Sequence, residues 1–205
     1  DVFVVPGADL RDGNQLQDAD YETFMGRSGD SLGVHNGWLE DLDGDGLPEL
    51  VVGAGLSSGS EDETGAVYVI SGADVYSGGF ADEVALTTIE GTMAYGRLAP
   101  SGETWGDYDG DGLTDLLVSH MGGSAFASIT STVHAISGAD IALGGTISAD
   151  DGMARFPSRM DNDLYGLSAG SWDADGNGLV DVVVGAPANN EVGAVLVFFS
   201  EYPTD

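Results

Sequence analysis

Short apolar runs alternate with turn-forming stretches of glycine, aspartate and serine along the whole chain. Leu50 to Val52, Leu116 to Val118 and Val182 to Val184 form one set of runs, and each is followed by a second near Val67, Val133 and Val195. Runs this short, rich in β-branched residues and bounded by turn residues, predict strands.

The runs recur with a fixed step. Ile70-Ser71-Gly72-Ala73-Asp74 returns as Ile136-Ser137-Gly138-Ala139-Asp140, and a weaker copy, Val5-Pro6-Gly7-Ala8-Asp9, precedes both. A second marker keeps the same period of about 66 residues: DLDGDGLPE begins at Asp41, DYDGDGLTD at Asp107 and DADGNGLVD at Asp173. Two independent markers in step identify a repeat architecture.

One repeat reads as four strands: a first ending at the Asp-rich loop, then Glu49 to Ala54, Ala66 to Ser71 and Ala85 to Gly91. Four short strands in about 60 residues is the size of one β-propeller blade. The expected fold is therefore all-β, with blades of four antiparallel strands. The chain should hold a partial blade over 1–31 (strands three and four) and blades over 32–94, 95–163 and 164–205, the last without its fourth strand. These three and a half blades make an open arc, the look of a piece of a longer chain or of a subunit completed by others. An open arc invites association through strand pairing or apolar packing. Residues Tyr21 to Met25 are expected to be able to complete the blade that ends at Phe199.

In DxDxDGxxD the acidic side chains alternate, so a tight turn aims three of them at one centre. A carbonyl at position seven and a carboxylate at nine complete an oxygen shell that suits a hard cation, calcium in preference to magnesium. The predicted ligands are Asp41, Asp43, Asp45, the Leu47 carbonyl and Glu49 in the first loop. In the second they are Asp107, Asp109, Asp111, the Leu113 carbonyl and Asp115; in the third, Asp173, Asp175, Asn177, the Leu179 carbonyl and Asp181. Three Ca2+ sites are thus expected, the third weakest because Asn177 carries no charge. Glycine at position six permits the positive φ such a turn needs. EF-hand and dockerin loops would lead into a helix, whereas ELVVGAG, DLLVSH and DVVVGAP read as strands; the tandem nine-residue repeats of RTX β-rolls are missing.

Composition adds to this picture. Of 205 residues, 35 are acidic against five basic ones, all arginine, for a formal charge of -30. Such a surface repels phosphate backbones and anionic lipid, so neither nucleic acid nor membrane insertion is expected. The charge also suits high salt, which screens self-repulsion. With no cysteine there are no disulfides and no thiolate chemistry. No run of 18 apolar residues occurs, and the chain opens on Asp1 and the apolar stretch Val2 to Val5, as a processed or excised chain would.

With these residues together, the chain resembles the FG-GAP repeats of integrin α-subunit propellers and their bacterial or archaeal relatives. The FG element corresponds to Leu32-Gly33, Tyr95-Gly96 and Tyr165-Gly166. The GAP element is intact as Gly185-Ala186-Pro187, is Gly53-Ala54-Gly55 in the first repeat, and is replaced by Ser119-His120-Met121 in the middle one. The resemblance implies that each Asp loop is a calcium site joining two strands of a blade. It transfers no recognition residue, since the family's ligand surface lies in variable loops; RGD and N-glycosylation sequons are absent.

Other motifs are set aside. Gly166-Leu167-Ser168-Ala169-Gly170 matches the nucleophile elbow, which needs a strand, a sharp turn and a helix. Here it falls at the first strand of a blade, and Gly33 to Gly37 and Gly96 to Gly102 share no serine position with it. His35, His120 and His134 show no common spacing and form no expected cluster. Trp38, Trp105 and Trp172 stand before each loop and read as core packing rather than a carbohydrate platform. Glu61 to Glu63 and Asp161 to Asp163 read as solvated loops.

The expected function is a calcium-binding extracellular module, secreted or at the cell surface, for adhesion or protein-protein interaction, with a protein partner or self-association. The alternative is a self-assembling subunit of a calcium-stabilised surface filament or sheath. A propeller-scaffold hydrolase ranks last, because no acid, base or nucleophile is positioned; neither enzyme activity nor a small-molecule substrate is expected.

Overall fold

The computed structural model describes residues 1–7, 21–59, 62–120, 131–159, 163–188 and 192–200. Four sheets follow one another. The first holds β1 (Val2–Val4) and β2 (Glu22–Met25), antiparallel. The second is a meander of β3 (Leu32–Trp38), β4 (Leu50–Ala54), β5 (Ala66–Ile70) and β7 (Thr87–Glu90). The third repeats it with β8 (Leu98–Gly106), β9 (Asp115–His120), β10 (Thr132–Ile136) and β12 (Ala154–Pro157). The fourth holds β13 (Ala169–Trp172), β14 (Asp181–Ala186) and β15 (Ala194–Phe198).

Every residue of β4 and β5 is buried, which explains why these segments read as continuous apolar runs instead of alternating ones. A sheet lies against each of their faces. Val52, Tyr68 and Ile70 join Val2, Val4 and Phe24 in one core; Val51, Val67 and Val69 join Leu98, Leu116, Val118 and Ile136 in the next. Leu117, Val133 and Ala135 then meet Val182, Val184 and Ala186. Neighbouring residues on a strand point to opposite faces, so each blade presents one apolar layer to its predecessor and another to its successor. The inner strands β3, β8 and β13 touch in succession. The chain is an all-β, open arc of propeller blades.

Two short strands were not foreseen. β6 (Gly79–Phe80) pairs in parallel with β2, and β11 (Gly145–Ser148) pairs in parallel with β7. Each lies between strands three and four of its own blade and adds to the outer edge of the blade before. Strands of two and four residues give too weak a pattern to separate from a loop. β2 is thus engaged by β1 and β6, while β15 pairs with β14; the Tyr21 to Met25 segment does not complete the last blade.

Candidate metal centres

The loops 41–49, 107–115 and 173–181 connect the two innermost strands of successive blades, and their internal hydrogen bonds repeat. The first carboxylate accepts two backbone amides: Asp41 from Gly44 (2.8 Å) and Gly46 (2.9 Å), Asp107 from Gly110 and Gly112, Asp173 from Gly176 and Gly178. The third residue accepts from the fifth, as Asp43 Oδ1 does from the Asp45 amide, and the fifth accepts from the seventh, as Asp45 Oδ1 does from the Leu47 amide. At position six Gly46, Gly112 and Gly178 lie at φ 90°, 90° and 88°, a backbone region that side chains with a Cβ seldom enter.

Position nine is the buried anchor. Glu49, Asp115 and Asp181 are each wholly inaccessible, and each accepts the amide of position two: Leu42 at 2.9 Å, Tyr108 at 2.7 Å and Ala174 at 2.8 Å. Carboxylate oxygens of Asp41, Asp43, Asp45 and Glu49 lie within 4.8 Å of one another, as do those of Asp107, Asp109 and Asp115, and those of Asp173, Asp175 and Asp181. Asp111 stands outside the second group, with its Oδ1 engaged by the Leu113 amide at 2.7 Å. Asn177 turns its Oδ1 to the Leu179 amide and its Nδ2 to the Ser200 carbonyl.

Burial pushes the Asp115 carboxyl up to about 6, against the amides of Gly138 and Tyr108, with Asp109 and Asp111 adding to the rise. Burial likewise raises Glu49, opposed by the Leu42 amide and reinforced by Asp43. Burial would raise Asp45 too, but hydrogen bonds from Leu47, Ser71 and Ala73 prevail and hold it below the usual carboxylate range. Three of the described arginines are engaged elsewhere: Arg27 pairs with Asp82 and Glu83, Arg97 with Glu63, and Arg155 with Asp150.

The donor set fits a hard divalent cation. Glu49 Oε1 is buried with no hydrogen-bond partner, an arrangement that costs free energy unless something positive meets it. Convergent carboxylates offer the oxygen-only ligands that such an ion takes.

Residues from the repeated Ile-Ser-Gly-Ala-Asp string support the loops. Ser71 Oγ and the Ala73 amide both donate to Asp45 Oδ2, at 3.0 and 2.8 Å. The Gly138 amide donates to Asp115 Oδ1, and at the third loop, after which the string is not repeated, the Ser200 amide donates to Asp181 Oδ1. The string had served only as a marker of the period. Its recurrence at one fixed distance after the first two loops is the signal of a structural partnership.

Several sequence expectations are corrected. His120 and His134 are both buried, with Nδ1 of the first 3.1 Å from Nε2 of the second; antiparallel pairing of β9 with β10 brings together residues whose spacing suggested nothing. Asp163 is buried, not solvated: it accepts the Ser158 hydroxyl and the Tyr165 amide. Residues 61, 161 and 162 lie outside the described ones. Trp38 and Trp172 are 47% and 76% exposed, so only Trp105, packed against the second core, fits the core reading. In the FG position the middle repeat places Leu98-Ala99 rather than Tyr95-Gly96. Leu98 lies opposite His120 as Leu32 lies opposite Ala54, and Ser31, Arg97 and Leu164 precede Leu32, Leu98 and Tyr165 with the same left-handed backbone. The Gly166 to Gly170 segment enters β13, a strand that leads to a loop and not to a helix.

Comparison with known proteins agrees with this architecture. The family model described as FG-GAP repeat matches residues 38–70, which hold the first loop with β4 and β5. Over 171 residues the chain is 33% identical to integrin alpha-PS5 of Drosophila melanogaster, covering 80% of this chain and 16% of the relative. Integrin alpha-5 of Xenopus laevis is 29% identical over 182 residues, with 83% and 16% covered, and integrin alpha-PS3 of Drosophila melanogaster 31% over 171, with 82% and 14%. The chain therefore spans about one sixth of the length of the curated relatives it matches. Blades stacked in register, a shared loop scaffold and these likenesses place the chain in the integrin-α-like FG-GAP repeat family.

Proposed function

We propose that this chain is a calcium-binding β-propeller module that works outside the cell or at its surface, in adhesion or protein-protein interaction. The observation that carries the calcium reading is the orphaned, fully buried Glu49 Oε1 within a group of four carboxylates. In the first loop Asp41, Asp43, Asp45 and Glu49 hold the ion with the Leu47 carbonyl. Asp107, Asp109, Asp111, Asp115 and the Leu113 carbonyl do so in the second, and Asp173, Asp175, Asn177, Asp181 and the Leu179 carbonyl in the third. Blades over 32–94, 95–163 and 164–205 each contribute one site.

The ions act on structure, not on substrate. Each loop joins the two inner strands of a blade, and its position-five or position-nine carboxylate is tied to the segment after strand three. A divalent cation neutralises the crowded carboxylates and fixes that junction, which keeps the loops between strands in one conformation for a protein partner. The described helices are all short, and none is long and apolar enough to cross a membrane.

The test is thermal or chemical unfolding in calcium and in chelator. For a dissociation constant near 0.1 mM, 10 mM calcium stabilises by about 2.7 kcal/mol per independent site. Superimposable curves in calcium and chelator would contradict the reading.

A further inference from the structure

The three loops touch one another across the blade boundaries. Glu40 precedes the first loop, and its Oε2 accepts the hydroxyl of Thr114 at 3.2 Å, 74 positions along the chain. Thr114 is position eight of the second loop, between Leu113 and Asp115. The next boundary repeats the contact. Gly106 precedes the second loop, and a Cβ placed on it would come within 3.1 Å of Val180 Cγ1, at position eight of the third. Ser171 Oγ adds a 3.0 Å hydrogen bond to the Trp105 carbonyl there.

Apolar side chains of the loops share cores as well. Leu42, position two of the first loop, is buried in the cluster against which Leu113, position seven of the second, is packed. Tyr108, position two of the second loop, packs against the cluster of Val182, the residue that follows the third. The entry of each loop thus leans on the exit of the next, and these contacts lie between blades, not at either end of the arc.

We infer that the first two calcium loops fill cooperatively, with the hydrogen bond from Thr114 to Glu40 as the joint between them; this rests on the loops holding calcium as proposed. An ion in the second loop draws on the Leu113 carbonyl and on Asp115, and so fixes Thr114 between them. Thr114 in turn holds Glu40, the neighbour of the first ligand Asp41. Asp41, Asp43 and Asp45 are all exposed, and ordering such a segment costs conformational entropy. A filled second loop has already met part of that cost, so the first ion binds more tightly, and by reciprocity so does the second when the first loop is filled. Direct repulsion between two dications acts in the opposite sense. Positive coupling therefore identifies the joint and not the field of the ions.

Calorimetric calcium titration of the full chain with Asp175→Ala, which silences the third loop, measures the coupling. One such chain keeps both remaining loops, one adds Asp109→Ala to leave the first, and one adds Asp43→Ala to leave the second. The product of the two binding constants in the two-loop chain should exceed the product of the single-loop constants by about three- to tenfold, the size of one net hydrogen bond. Thr114→Val in all three chains should bring that ratio to one or below, and Thr114→Ser, which keeps the hydroxyl, should restore it. Circular dichroism in chelator should be the same throughout. A ratio of one or less without the Thr114 substitution, or a ratio that Thr114→Val does not move, would overturn the coupling while leaving the calcium sites in place. Chains that take up no calcium would overturn the calcium reading and the coupling together.

Discussion

The amide of Gly138 donates a 2.8 Å hydrogen bond to Asp115, 23 positions before it, so the turn that leaves β10 is fastened to the first residue of β9. The other oxygen of the same carboxylate accepts the Tyr108 amide at 2.7 Å. Asp115 therefore has a structural task that exists whether or not a metal is bound, while exposed Asp109 in the same loop has none of comparable depth.

This separates two variants. Asp115→Ala leaves two amides without an acceptor and should destabilise the protein in chelator by roughly 1 to 3 kcal/mol for each amide left buried and unpaired. Asp109→Ala should change stability in chelator by about 0.5 kcal/mol or less, and should lose the calcium-dependent increment of one site. Denaturant unfolding of each variant with and without calcium checks both.

Glu49→Gln preserves an acceptor for the Leu42 amide but removes the charge beside Asp41, Asp43 and Asp45. Stability in chelator should hold or rise slightly, because a buried charge without a partner is gone. Calcium affinity of the first site should fall by about tenfold or more, since ligand charge sets affinity in such sites. Calorimetric titration beside the parent chain measures the difference.

Blade packing can be probed at Gly37. A Cβ there would collide with the Trp105 ring, so Gly37→Ala should cost about 1 to 3 kcal/mol through overpacking. At this chain length each kcal/mol lowers the melting temperature by about 2 to 4 °C. Trp105→Leu in the Gly37→Ala background should recover part of the loss, as expected for direct contact.

The histidine pair gives a pH dependence with a definite sign. Burial pushes His120 down to about 4, helped by His134, and burial lowers His134 as well. Both folded values lie below the unfolded one near 6.5, so the neutral rings contribute stability that is present above about pH 6.5 and is lost as pH falls through 6.5 toward 4. For His120 alone that amounts to about 3 kcal/mol. The first blade holds Ala54 and Tyr68 one period earlier. The double variant His120→Ala with His134→Tyr should therefore lose this acid sensitivity, read as the difference in unfolding free energy from the parent chain between pH 7 and pH 4.5.

The features legible in the sequence were those the period amplifies. The strand predicted over Ala66 to Ser71 is β5 at Ala66–Ile70, and that over Glu49 to Ala54 is β4 at Leu50–Ala54, because runs buried on both faces leave a dense apolar trace. Asp41, Asp43 and Asp45 were legible as a converging set because alternate side chains in a tight turn share one side. What escaped depends on contacts between residues far apart in sequence. His120 meets His134 only through strand pairing, β11 finds β7 across a blade boundary, and Trp172, opposite Asp181 where Trp105 is opposite Leu116, changes face through a single-residue slip in register. Apolar composition fixes neither the register nor the partner of such residues.

The most direct test of the central claim counts the ions. Native mass spectrometry of the chain, titrated with calcium after chelator treatment, should show up to three bound ions per chain. The Asn177 loop should fill last, and Asp41→Ala with Asp107→Ala should reduce the count to one. A chain that stays ion-free at millimolar calcium, or a count unmoved by those substitutions, would contradict the account.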